Sequence, residues 1–261
     1  MKLSRISFSI TVLITSVAFF SFSTLRSKPF RQINKVVIDA GHGGKDPGAG
    51  GGKEKVYSLD IALKLGNMIL ENHKNVEITY TRDDDTFIAL NERAGIANRK
   101  QADLFISIHC NSASSSSAYG TETYVMGLHK SDANLELAKR ENNVILLEDN
   151  YKKSYKGFDP NSPLAHIMLA NYQSAYLGQS MDFAARVEEQ FAKHGNKSRG
   201  VKQAGFLVIW ETTMPSVLIE TGYLSNPNDA KKLGSEEGRE TIATAIYKAF
   251  DSYKSDVERN Q

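Results

Sequence analysis

Two histidines stand where apolar, β-branched runs end. Val36-Val37-Ile38-Asp39-Ala40 breaks into Gly41-His42-Gly43-Gly44, and Leu104-Phe105-Ile106-Ser107-Ile108 breaks into His109-Cys110-Asn111-Ser112. Short Val- and Ile-rich runs bounded by Gly or Asn read as buried strands. In an open parallel sheet, ligands bind beyond the carboxyl ends of the strands. Two imidazoles delivered to one sheet edge therefore read as a ready pair of metal ligands. His73, His129, His166 and His194 have no such setting and read as ordinary surface or core side chains.

A catalytic zinc takes three protein ligands and keeps one position open. The glycine-rich stretch after His42 ends in Glu54, at the start of a helical run. Such a loop can fold back and return a helix-start carboxylate to the strand end that launched it, so Glu54 is the expected third ligand. Asp46 is nearer in sequence, but Asp46-Pro47-Gly48 reads as a turn. A metal hydrolase also needs a general base. Val217-Leu218-Ile219 ends in Glu220, and an acid closing so apolar a strand is costly unless it is paired or functional. Glu220 is the expected base. This constellation predicts hydrolysis of an unactivated amide by zinc-activated water.

The elements that must position these groups alternate along the chain. Strands are expected over 35–40, 76–81, 104–108, 121–125 and 216–220. Helices are expected over Ser58–Asn72, Leu90–Lys100, Asp229–Leu233 and Arg239–Tyr253. That alternation predicts an α/β fold, a three-layer, mostly parallel twisted sheet with helices on both faces. A helical insert at about 128–195 interrupts it. One charged helix is expected from about Asp132 to Tyr155 and a second from about Leu164 to His194, with no strand between Gly127 and Gly200. Arg82, Arg93 and Asn111 fall near strand ends as candidate substrate-binding residues, although the two arginines read first as structural partners of Asp83–Asp85 or Glu92.

Lys2 and Arg5, an apolar stretch to Phe22 and small residues near Ser23 read as a secretory signal over 1–23. Export is expected, to a periplasm or otherwise to the cell wall, with no stable membrane span after cleavage. A polar lead over 24–34, a catalytic domain over 35–254 and a polar tail over 255–261 complete the expected organisation. Removing 1–23 takes the net charge from +2 to 0, which gives no electrostatic case for nucleic acid. Cys110 is the only cysteine, so no internal disulfide forms.

The run Val37–Ala49 resembles the opening motif of the zinc-dependent N-acetylmuramoyl-L-alanine amidases, the type-3 amidase family. Glu54-Lys55, Thr81-Arg82, Leu90–Ala94, Ala102–Asn111 and Pro215–Asn226 follow in that family's order, so the resemblance covers residues 35 to about 252. It implies cleavage of the bond between N-acetylmuramic acid and the L-alanine of the stem peptide, in cell-wall remodelling, septum cleavage or daughter-cell separation. It also implies Zn2+ on His42, Glu54 and His109, and Glu220 as acid/base. Ala138–Asn142 resembles the helix that blocks the site in autoinhibited members, with Glu141 on the zinc, Glu148 as the fallback, and an activator protein drawing the insert away. Cys110 departs from the alanine common in the family, and with no wall-binding repeats in the chain, recruitment is expected to fall to the catalytic domain or a partner.

Three other readings compete. A P-loop needs Gly-Lys-Ser/Thr, and Gly52-Lys53 is followed by Glu54. A His109/Cys110 thiol hydrolase fails because neighbours on a strand point to opposite faces. A catalytically silent peptidoglycan-binding module would lack a ligand or the base, and all four residues are present.

Overall fold

The computed structural model describes residues 32–171 and 175–259; the expected leader over 1–23 and most of the polar lead lie outside them. The strands are β1 Lys35–Ala40, β2 Glu77–Tyr80, β3 Leu104–Asn111, β4 Thr121–Met126, β5 Ser198–Ala204 and β6 Ser216–Tyr223. The helices are α1 Lys53–Asn72, α2 Leu90–Lys100, α3 Asp132–Asn142, α4 Tyr151–Ser154, α5 Pro163–Ala170, α6 Leu177–Lys193, α7 Pro227–Gly234 and α8 Glu236–Arg259. One sheet takes the order β2-β1-β3-β6-β4-β5. β1, β2, β3 and β6 run parallel, β4 meets β6 antiparallel, and β5 lies parallel to β4.

Side-chain alternation divides each strand between two faces. Val36, Ile38, Leu104, Ile106, Ile108, Val217 and Ile219 pack in one buried cluster with residues of α1, α6 and α8. Val37, Phe105, Tyr124 and Leu218 join the second cluster, with Leu90 and Ala97 of α2 and Leu137 and Ala138 of α3. Asp39, His109, Glu122 and Glu220 share the parity of this second face, so the candidate site opens towards α3. In α1, Ile61, Ala62, Leu65 and Ile69 are buried at helical spacing. The helix begins at Lys53, ahead of the expected Ser58, which puts Glu54 in the first turn where the helix dipole favours a carboxylate.

The insert differs most from expectation. The helix expected to reach Tyr155 stops at Asn142, passes through a 3-10 turn at Asn143–Leu147, and resumes as α4 after Asn150, whose φ is 60°. Asn142 accounts for the stop: its side chain donates to Gly205 O at 2.8 Å and accepts from Leu207 N at 2.9 Å, pinning the helix end to the loop after β5. The expected second helix is two, α5 and α6. α6 is a core layer rather than part of a cover, since Phe183, Val187 and Phe191 are fully buried among residues of α1 and α8. β5 was not expected. Its sequence, Ser-Arg-Gly-Val-Lys-Gln-Ala, is that of a polar, mostly half-exposed edge strand.

The ends of the domain are also more ordered than a lead and a tail. Ile33 is buried in the core. Its amide donates to Glu258 at 3.1 Å and its carbonyl accepts from Lys254 Nζ at 3.0 Å, so α8 continues to Arg259 where a polar tail was expected.

Phe183→Ala is expected to destabilise the protein by about 3–5 kcal/mol, the usual cost of emptying a buried aromatic site. Denaturant unfolding measures it; a cost below about 1 kcal/mol, the level of an ordinary surface change, would show that α6 is dispensable to the core.

Candidate metal centre

Beyond β1 the backbone doubles back on itself. Gly43 and Asp46 exchange both backbone hydrogen bonds, at 3.0 and 3.1 Å, around a turn at Gly44-Lys45, so the turn lies before Asp46 and not over Asp46-Pro47-Gly48 as expected. His42 adopts φ 62°, a conformation rare outside glycine. Two glycines then make room. A Cβ on Gly41 would lie 2.5 Å from His109 Cε1, and one on Gly48 would lie 2.7 Å from His42 Cδ2 and 2.8 Å from Glu54 Oε2. The loop therefore carries Glu54 back to the ends of β1 and β3. Its carboxylate accepts from Ala49 N at 2.7 Å and from Cys110 N at 3.0 Å.

His42, Glu54, His109 and Glu141 offer ligand atoms that all lie within 4.8 Å of one another, and all four residues are buried. His42 Nε2 is 3.0 Å from Glu54 Oε1, and His109 Nδ1 is 3.2 Å from the same oxygen. Glu141 Oε2 comes from α3 to 3.4 Å from His42 Nε2 and 3.3 Å from His109 Nδ1. Glu148 is elsewhere: it accepts from Leu90 N at 3.0 Å and from the Tyr155 hydroxyl, at the start of α2. Sequence reasoning left Asp46 as a turn residue only, yet its Oδ2 sits 2.7 Å from His42 Nδ1. A carboxylate on the far nitrogen fixes the tautomer and aims Nε2 at the cluster. The i,i+4 spacing of His42 and Asp46 across a tight turn was the available signal.

Burial opposes charge on all four residues, and their partners overcome it. Burial lowers His42, but Glu54, Asp46 and Glu141 hold its ring well above the usual imidazole range. His109 reaches about 9 against the same burial, through Glu141 and Glu54. Glu54, despite burial, is drawn down to about 2, chiefly by His42. Arg140 and the two histidines hold Glu141 well below the carboxylate range. Two carboxylates and two imidazoles in one buried cluster demand positive charge. Protons on the rings, or a divalent cation among neutral rings, can each supply it. The buried His42 Nε2 and Glu141 Oε2, which make no hydrogen bond, together with the mixed nitrogen and oxygen donors, fit zinc.

Glu220 stands on β6 directly opposite His109 of β3. It is fully buried and neither carboxylate oxygen has a hydrogen-bond partner. Burial first, then the neighbouring charges of Glu141 and Glu54, push its carboxyl well above the usual range, against the pull of His109 and Arg140. Cys110 points to the opposite face, its Sγ 3.4 Å from Thr221 Oγ1.

Arg82 and Arg93 reach the site as its supports. Arg82 donates to Ala40 O at 2.9 Å, and to Gly41 O and Lys55 O at 2.7 Å each. Arg93 donates to Ala40 O and His42 O at 2.7 Å each and to Ile88 O at 2.9 Å, and pairs with buried Asp39 at 2.9 Å. Both guanidinium groups are buried and committed to protein acceptors. Asn111 lines a groove beside the cluster; its Oδ1 accepts from Arg140 at 3.1 Å and its Nδ2 donates to Glu122 at 3.3 Å. Arg140, which sequence reasoning passed over, links that groove to Glu141 at 3.0 Å.

The α/β sheet thus carries, near the carboxyl ends of β1 and β3, a buried His42/Glu54/His109/Glu141 cluster that could hold a metal ion. The chain belongs to the N-acetylmuramoyl-L-alanine amidase family (Amidase_3), whose model matches residues 36–252. The N-acetylmuramoyl-L-alanine amidase AmiA of Escherichia coli (strain K12) is 33% identical over 84% of this chain and 75% of its own. The catalytic domain of the amidase CwlV from Bacillus (Paenibacillus) polymyxa var. colistinus is 33% identical, with a TM-score of 0.57 over 84% of this chain and 97% of that one. The CwlD amidase of Clostridioides difficile, solved in complex with the GerS lipoprotein, is 25% identical, with a TM-score of 0.61 over 85% and 98%.

Arg93→Ala is expected to cost about 3–5 kcal/mol, because it leaves Asp39 charged, buried and unpaired. Arg93, Ser107 and Thr81 hold Asp39 below the usual aspartate range against its burial. In the wild type that stabilisation is complete above about pH 4, the unfolded value, and is lost as pH falls through the lower folded one. Urea unfolding from neutral to acid pH checks both points: the deficit of the variant should shrink as Asp39 protonates.

Proposed function

We propose that the protein is a zinc-dependent peptidoglycan amidase that cleaves the bond between N-acetylmuramic acid and the L-alanine of the stem peptide. The observation that carries this reading is the buried His42, Glu54 and His109 set beside Glu220, in a chain of this family. The three ligands would hold one zinc ion, which when bound supplies Lewis-acid activation of water and of the scissile carbonyl. Asp46 keeps His42 in the tautomer that presents Nε2. Glu220 takes the proton from the attacking water and returns it to the nitrogen of L-alanine as the C–N bond breaks. Its raised carboxyl suits both steps, since the best acid/base has a pKa near the working pH. Gly41 and Gly48 let the rings and the carboxylate approach. Export through the signal read over 1–23, to a periplasm or the cell wall, fits this substrate, as do roles in wall remodelling and daughter-cell separation. No helix among the described residues is long and apolar enough to cross a membrane.

A second reading concerns control of the same activity, and the position of Glu141 favours it. A fourth carboxylate at the ligand set occupies the position that catalysis needs open. Arg140 and Asn142, on either side of Glu141, anchor α3 to Ser112 O at 2.6 Å and to Gly205 O at 2.8 Å. Lys45 of the ligand loop also donates to Leu147 O at 2.5 Å. The exposed Leu146 and Leu147 line the pocket that also holds His42, Glu54 and Glu141, while the segment leaves Leu164 and Met168 exposed. An activator protein bound there would draw α3 away and shift the population to the open state; GerS, seen with the CwlD amidase, is a precedent for a bound partner.

His42→Ala and His109→Ala are each expected to remove bound zinc, measured by metal analysis of the purified proteins, and to abolish muropeptide hydrolysis. Glu220→Gln should retain zinc and lose at least about a hundredfold in rate, the lower range of general-base effects. A Glu220→Gln protein that hydrolyses muropeptides at near wild-type rate would assign the base elsewhere. Glu141→Ala should raise basal hydrolysis about tenfold, equivalent to removing ~1.4 kcal/mol of preference for the closed arrangement. A stable Glu141→Ala protein with unchanged basal rate would make α3 a packing element only.

A further inference from the structure

One strand beyond the proposed base lies a groove whose charge the chemistry above does not use. Glu122 of β4 faces Glu220 of β6 in the antiparallel register, and Glu220 in turn faces His109. With adjacent strands about 4.8 Å apart, Glu122 lies about 10 Å from His109 across the sheet. Its carboxylate is buried and receives Arg199, Lys202 and the hydroxyls of Tyr223 and Tyr124, the last two at 2.8 and 2.7 Å. Burial raises Glu122, but Lys202, Tyr124 and Arg199 outweigh it, so the group remains a carboxylate. Two cations thus face one anion, leaving one unit of positive charge in excess. Arg199 and Lys202 are held in place by β5 and by aromatic faces, Arg199 at 5.4 Å from the Tyr223 ring and Lys202 at 5.9 Å from that of Tyr124. Their side chains remain 36% and 22% exposed and line an open groove of about 460 Å³. Asn111 and Arg140 form the wall of that groove towards the metal ligands.

Neutralising Glu122 alone would require one cation, and two preorganised donors around an open groove suit an incoming carboxylate. The two sides of the scissile amide differ in this respect. The glycan side offers N-acetyl and hydroxyl groups, whereas the stem peptide carries free carboxylates. Two extended residues span about 7 Å, which brings the second residue within reach of the long Arg and Lys side chains. Resting on the amidase reading, we propose that Arg199 and Lys202 form a subsite for the free carboxylate of the stem peptide's second residue. The subsite seats the peptide on the β4–β5 side of the metal ligands and favours acidic over amidated stems.

The test uses two muramyl tripeptides, N-acetylmuramoyl-L-alanyl-γ-D-glutamyl-L-lysine and its counterpart with the second-residue carboxyl converted to carboxamide. The full chain is assayed for hydrolysis of both, and titrated calorimetrically with the two free tripeptides. Wild type should favour the carboxylate form about tenfold in kcat/KM and in binding, the scale of one charge-assisted hydrogen bond. Lys202→Met and Arg199→Gln should each erase most of that preference by losing rate on the acidic substrate only, and Lys202→Arg should restore it. Thermal melts identify any variant that fails to fold, and the wild-type comparison stands without it. Equal use and equal binding of both forms by wild type, or a preference that survives in both variants, would overturn the subsite. If neither wild type nor Glu141→Ala hydrolyses either muramyl compound, the amidase reading fails, and the tripeptide titration alone decides the subsite.

Discussion

The carbonyls of Ala40, Gly41 and His42 project beyond the end of β1, where Arg82 and Arg93 take them up from below the loop. Leaving a buried carbonyl unpaired costs about 1–3 kcal/mol, and here three in succession are satisfied by two side chains. The same contacts hold His42 in its positive-φ conformation and so set the direction of its ring. Asp39, with Thr81 and Ser107 on its oxygens at 2.6 Å each, balances the charge of Arg93 from within the sheet. Everything that converges at the site, the return of Glu54 included, depends on this clamp keeping the loop in one shape.

From that fixed loop, polar contacts run on across the sheet. Asp46 holds His42, and Glu54 binds the backbone of the residue after His109. Arg140 joins Glu141 to Asn111, and Asn111 joins Glu122. Each carboxylate on this path meets a ring, a guanidinium or an amide N–H, so each buried acid has a donor within reach, as low-dielectric surroundings require. Glu220 is the exception. It has no hydrogen bond, and burial with the neighbouring Glu141 and Glu54 holds its carboxyl above the usual range. α3 takes part through Arg140 and Glu141, which couples it to the groove beside Asn111 as well as to the His42/Glu54/His109 cluster.

What the sequence made legible followed from local rules. His42, His109 and Glu220 stood out because apolar β-branched runs stop abruptly at a titratable residue, although β3 and β6 run on to Asn111 and Tyr223. The glycines between His42 and Glu54 announced a loop able to reverse. β5 escaped because an edge strand needs no apolar alternation, and its residues serve a groove rather than a core. The insert was misdivided because charge and helical periodicity continue past Asn142, while the contacts that end α3 lie 63 and 65 residues away at Gly205 and Leu207. The arginines read near the site are present there, but only three-dimensional contacts reveal that they face inward onto carbonyls. Asp46 shows the same limit, since one residue serves both as turn and as orienter of a ring.

The sheet order carries a consequence for how the molecule comes into being. β6 is the last strand in the chain, yet it lies in the middle of the sheet, between β3 and β4. Until it emerges, β1–β3 and β4–β5 are two separate fragments with facing unpaired edges, and no contact of neighbouring residues can join them. Such late, long-range closure slows assembly, and it also makes competence all-or-none. His42, Glu54 and His109 are complete in the first half of the chain, but the carboxylate opposite His109 arrives only with the strand that closes the sheet. A chain ended before β6 therefore carries the histidines and Glu54 without the carboxylate that faces His109 across the sheet.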